Sequence, residues 1–130
     1  MIEIRREEEF EKLLRENPTD EILRFIIRHA PSPELKEEAG QEFLNRNPGR
    51  DGLRFIMKHV PSLAEEAWER LKNPRKSDLH FIIKYVPVLS VKKKAGRKLL
   101  SLNPTKFDVD FIIKYLPSLA RKLKKRKLKK

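Results

Sequence analysis

Apolar residues recur along this chain at helical spacing, in short runs cut by proline. With residues set at about 100° each, Leu23, Ile26, Ile27 and Ala30 cluster on one side of a helix. Phe25 and His29, four apart, widen that side, and Asp20, Glu21, Arg24 and Arg28 fill the remaining strip. Such a segment is predicted to bury more than half its circumference, as an inner helix flanked by neighbours does. A second kind of segment carries a narrower stripe: Leu35, Ala39 and Phe43, and later Val91, Ala95 and Leu99. It predicts a helix that buries one face only.

The two kinds alternate on a fixed punctuation. Asn-Pro stands at Asn17-Pro18, Asn47-Pro48, Asn73-Pro74 and Asn103-Pro104, at intervals of 30, 26 and 30 residues. Seven residues after each of these prolines comes Phe25, Phe55, Phe81 or Phe111, and six residues later Pro31, Pro61, Pro87 or Pro117. The signature N-P … F-I-[IM]-[RK]-[HY]-x-P therefore marks four copies of one unit, and such self-similarity outranks other fold signals. In each unit the first helix, A, lies between the two prolines. Asn17 or Thr19 is a candidate cap for its start, and Thr105 with Asp108 has capping-box spacing. The second proline ends it, having no amide to donate and clashing with the preceding turn. The second helix, B, runs on to the next Asn-Pro. Ser32, Ser62 and Ser118 follow prolines at its start, where serine acts as a cap.

The expected architecture is all-α, one domain over residues 1–130. A leading helix at about 3–16, with Leu13 and Leu14 matching Phe43 and Leu44, precedes units at about 17–46, 47–72, 73–102 and 103–130. The last unit ends in a basic helix at 118–130, with Leu119 and Leu123 docking on the last helix A. One helix pair cannot cover its own apolar face, so stacked units are expected to bury a continuous core. Gly40 and Gly96 sit at equivalent mid-helix places, where close helix contact would require glycine, and Trp68 stands there in the short second unit.

In its helix pairs and its Asn-Pro…Leu-x-x-Ile…Pro punctuation, from about residue 7 to 123, the chain resembles the HEAT-like and leucine-rich-variant helical repeats. The resemblance implies a right-handed α-solenoid with a binding face. It names no partner, because these families bind proteins, nucleic acids and small ligands alike. The units are shorter than usual for HEAT repeats, and the cysteine cluster of some leucine-rich-variant proteins is absent.

Composition narrows the chemistry. There is no cysteine, so disulfides, thiolate metal sites and cysteine nucleophiles are excluded. The longest apolar run, Tyr85 to Leu89, is five residues, against roughly 20 for a membrane-spanning helix. The first ten residues lack the apolar stretch of a signal peptide. A cytoplasmic location is expected, and the wealth of Lys, Glu and Arg without Cys is thermophile-like.

Charge is unevenly distributed. Residues 1–65 carry 11 Lys+Arg against 14 Asp+Glu, net −3, while residues 66–130 carry 20 against 5, net +15. Two patterns organise it. Helix A carries a ladder of cations: Arg28, Lys58, Lys84 and Lys114 three residues after each Phe, with Arg24, Arg54, His80 and Asp110 a turn earlier and Asp20, Arg50, Lys76 and Lys106 a turn before that. All are expected on the solvent strip, where they either track phosphates or pair with nearby carboxylates. Helix B inverts its sign: Glu37, Glu38, Gln41 and Glu42 in the first unit become Lys93, Lys94, Arg97 and Lys98 in the third. Scaffold demands do not explain that inversion. A third feature is the tail, with Arg121, Lys122, Lys124, Lys125, Arg126 and Lys127, read as a polyanion contact or a solubilising cap.

No catalytic constellation is evident, so a non-enzymatic binding module without cofactor or metal is expected. His29 and His59 share their position with Tyr85 and Tyr115, which argues for packing half-facing solvent. The expected partner is nucleic acid, bound through its phosphate backbone with little sequence selectivity. Few aromatics fall on solvent positions, so duplex contact fits better than base stacking. The alternative is a protein-interaction scaffold docking an acidic or helical segment, with Trp68 as an anchor if it is exposed. Head-to-tail self-association between acidic and basic ends is a further possibility.

Overall fold

The computed structural model describes the backbone of residues 2–121 and the side chains of residues 7–121. Within them the chain is helical, with no strand: α1 (Ile2–Arg15), α2 (Asp20–His29), α3 (Pro33–Asn45), α4 (Arg50–His59), a 3-10 turn (Pro61–Leu63), α5 (Ala64–Arg70), α6 (Lys76–Tyr85), α7 (Leu89–Ser101) and α8 (Lys106–Tyr115), then helical residues 117–121. Helices α2, α4, α6 and α8 are the four A helices, and α3, α5 and α7 are B helices. The rest of the expected basic C-terminal helix, Leu123 included, lies outside the described residues.

The described residues form two compact units that divide between Arg70 and Leu71. In the first, α2 packs on α3 and α4 on α5, while α1 lies against α2 and α3 against α4. Its core holds Leu23, Ile26, Ile27, Leu35, Ala39, Phe43, Leu44, Ile56, Met57 and Ala67, all essentially inaccessible to water. In the second, α6 packs on α7 and α8, and α7 on α8, around Leu79, Ile82, Ile83, Val91, Ala95, Leu99 and Ile112. These are the apolar positions that helical periodicity selects.

Both proline signals act through the backbone. Ala30, Val60, Val86 and Leu116 donate the last helical amide, to Ile26, Ile56, Ile82 and Ile112 at 2.7–3.1 Å, and each precedes a proline. Their ψ values of 141°, 80°, 127° and 65° leave the helical region, as the residue before proline must. Asn17, Asn47, Asn73 and Asn103 have φ of 50–56° and are the described residues with positive φ. Asparagine is among the few side chains that tolerate this left-handed conformation. It turns the chain after the preceding helix and does not cap the next one. The side-chain caps include Thr19, whose Oγ1 accepts from the Ile22 amide at 3.2 Å, Ser32, which accepts from Leu35 at 3.2 Å, and Thr105, which accepts from Asp108 at 3.2 Å. The expected caps at Ser62 and Ser118 are not formed, because both residues lie inside helical turns.

The mid-helix glycines mark close approach. A Cβ on Gly96 would lie 2.7 Å from Leu119 and 2.8 Å from Leu116, and one on Gly40 would lie 3.0 Å from Leu63 and 3.1 Å from Val60.

Candidate functional site

The helix A ladder divides into a seam and a rim. In the seam, residues of one repeat grip the next. In the second unit, Lys76 and His80 on α6 reach Asp108 on α8: Lys76 Nζ donates to Oδ2 at 2.8 Å, and His80 Nε2 meets Oδ1 at 2.9 Å. Asp108 is also the capping-box residue expected from its spacing. It accepts from the Thr105 amide at 2.8 Å, and its own amide donates to Thr105 Oγ1 at 3.2 Å. Burial by itself would raise the Asp108 carboxyl. The hydrogen bonds from Lys76, the Thr105 backbone and His80 outweigh it and hold the group well below the usual carboxylate range. In the first unit the seam is aromatic. The Arg24 guanidinium lies 5.2 Å from the Phe43 ring centroid and 5.1 Å from that of Phe55, and Arg28 lies 5.8 Å from Phe55.

The expectation that all ladder residues face solvent is therefore corrected. Arg24, Arg54, Lys76 and His80 are half-buried, Arg54 against Asp51 and the others in these seams. The rim residues Arg28, Lys58, Lys84 and Lys114 are exposed, as are Lys106 and Arg121. Lys122, Lys124, Lys125, Arg126 and Lys127 lie outside the described residues.

Each repeat also carries a pair of rings. In each repeat the signature Phe contacts the His or Tyr four residues on: Phe25–His29 at 4.8 Å, Phe55–His59 at 4.5 Å, Phe81–Tyr85 at 5.1 Å and Phe111–Tyr115 at 4.6 Å. Lys84 sits over Tyr85 at 5.1 Å and over Tyr115 at 5.9 Å. His59 is pushed below its ordinary value by burial and then by the charges of Lys58, Arg28 and Lys36.

Two readings of these rings need correction. Phe25 does not widen the buried face. It is 46% exposed, with His29 exposed beside it, and the Phe10 and His29 rings lean on it. Nor are aromatics withheld from solvent, since Tyr85 is 46% and Phe107 66% exposed. Phe107 stacks on His80 at 5.4 Å and 7°. The missed signal lay in the repeat register: the residue four after each Asn is Glu21, Asp51, Ser77 and then Phe107, an aromatic at a solvent position.

On helix B the charge inversion lies on the outer arc. Glu37, Glu38 and Glu42 of α3 are exposed and Gln41 half-buried. On α7, Arg97 and Lys98 are exposed, and Lys93 and Lys94 half-buried. No Asp or Glu occurs between Asp78 and Asp108, and both of these are buried, each accepting from a helix-start amide. Trp68 is half-buried. Among the described residues no three His, Asp or Glu gather to hold a metal ion, and no helix is long and apolar enough to cross a membrane.

No protein-family model, curated protein or solved structure matches this chain.

Proposed function

We propose that the protein is a non-enzymatic module that binds nucleic acid by its phosphate backbone, through the basic residues of Leu71–Lys130, on a HEAT-like array of short helix pairs. The observation that carries this reading is the outer arc of α7. Lys93, Lys94, Arg97 and Lys98 stand in the register that Glu37, Glu38, Gln41 and Glu42 occupy on α3, while the buried residues of the two helices keep their apolar character. A fold that tolerates either sign at those positions does not demand cations there.

Acidic residues are also scarce in this part of the chain. The residues from Leu71 onward hold 19 Lys+Arg against 3 Asp+Glu, and two of those three carboxylates are buried. A surface on which cations far outnumber carboxylates raises the local concentration of a polyanion and releases its condensed counterions on contact. Binding of this kind is weakly sequence-selective and falls steeply with salt.

The test is a fluorescence-anisotropy titration of labelled DNA and RNA over about 50 to 200 mM salt, with an acidic peptide as a parallel probe. The wild type should bind nucleic acid with log K falling linearly in log salt. The variant Lys93→Glu, Lys94→Glu, Arg97→Gln, Lys98→Glu places the side chains of α3 on α7. It should keep its helical circular dichroism and lose most of the affinity. Absence of nucleic-acid binding at low salt, or binding of the acidic peptide alone, would refute the proposal, and the latter would favour a protein-docking role.

A further inference from the structure

A duplex hides its base faces, whereas an unpaired strand offers them. An exposed aromatic ring among cations is the feature that separates the two ligands, because every base has a π-face and stacking tolerates any sequence. Phe107 is such a ring. It opens α8 next to Lys106, at a position where the other three repeats carry Glu21, Asp51 and Ser77. One face lies on the His80 imidazole at 5.4 Å, nearly parallel, yet 66% of the residue stays in water. His80 is itself held by the buried Asp108, so the platform is braced from behind. A second exposed ring, Tyr85, lies under the Lys84 ammonium in the same unit. Its contacts with His80 and Phe111 leave most of Phe107 in water, at a position that is polar in the other repeats, so burial accounts for little of it.

We propose that the second unit binds single-stranded nucleic acid, with an unpaired base stacked on the outer face of Phe107, a second platform at Tyr85, and phosphates held by Lys84, Lys106 and Lys114. This rests on the nucleic-acid reading above and selects the unpaired strand within it. A base on Phe107 extends the His80–Phe107 stack by one ring, and the cations on α6 and α8 supply the salt-dependent part of the affinity.

Anisotropy with a labelled thymidine strand and a duplex of equal length, at one salt concentration, tests the proposal on the full chain. The wild type should bind the single strand more tightly. One base stacked on an aromatic contributes about 1–3 kcal/mol, so Phe107→Ala should weaken single-strand binding roughly tenfold and leave duplex binding unchanged. Phe107→Leu keeps apolar bulk against His80 and should lose the same affinity with an unaltered melt. Phe107→Trp should retain it. If Phe107→Ala changes neither ligand, or both equally, the stacking site is refuted while phosphate binding stands. If the wild type binds neither ligand, both proposals fail. If a peptide binds and depends on Phe107 while the strand does not, the platform serves a protein.

Discussion

Lys76 and Asp108, 32 residues apart, meet at 2.8 Å with very different surroundings: the lysine side chain is 38% exposed and the aspartate 4%. The pair is asymmetric in consequence. Lysine can return to water when its partner is lost, whereas the aspartate also holds the first turn of α8 and the His80 ring.

Asp108→Ala should therefore cost about 2–3 kcal/mol, by removing an N-terminal cap and several buried hydrogen bonds. Lys76→Ala should cost less than about 1 kcal/mol, as expected for a partly solvated ion pair. The pH dependence follows from the lowered carboxyl. The Asp108 contribution is complete above the unfolded value near 3.9 and is lost as pH falls below it toward the folded value. Urea denaturation of wild type and Asp108→Asn between pH 7 and 3 should show two curves converging at the acid end. Parallel curves would mean that the carboxylate charge contributes nothing.

His59 sets a second pH window in the other unit. Its imidazole is depressed, so the unfolded chain takes up a proton more readily than the folded one. Stability should be full above about pH 6.5 and decline as pH falls through that value. The third and fourth repeats carry Tyr85 and Tyr115 at this position. His59→Tyr should flatten the change in melting temperature between pH 7.5 and 5.5, and an unchanged slope would place the acid sensitivity elsewhere.

Asn47 turns the chain at φ 56°. Asn47→Ala forces a Cβ-bearing residue without a compensating amide into the left-handed region and should cost about 1 kcal/mol. Asn47→Gly should be close to neutral, because glycine adopts that conformation freely. Equal losses in both variants would mean that the asparagine side chain, and not its backbone conformation, is what the turn requires.

Much of this was legible in the chain. Leu23, Ile26 and Ile27, and Val91, Ala95 and Leu99, are buried where helical periodicity puts them, and Pro31, Pro61, Pro87 and Pro117 end their helices. The Thr105–Asp108 box was visible from its spacing, because both partners belong to one helical turn. The rest of the Asp108 site was not. Its other ligands come from α6, and a helical wheel gives the direction a side chain points without showing what stands opposite. For the same reason periodicity places Phe25 on the buried face although it is exposed, since hydrophobicity favours burial but only a neighbouring surface can supply it.

The amino-acid sequence by itself determined the repeating helices, their stops and the uneven charge, because these depend on residues within a few turns of each other. Only the tertiary structure decided which cations of the helix A ladder are occupied between repeats and which rings remain in water. Those outcomes depend on pairs some 28 to 32 residues apart, such as His80–Asp108 and Lys76–Asp108, brought together by packing.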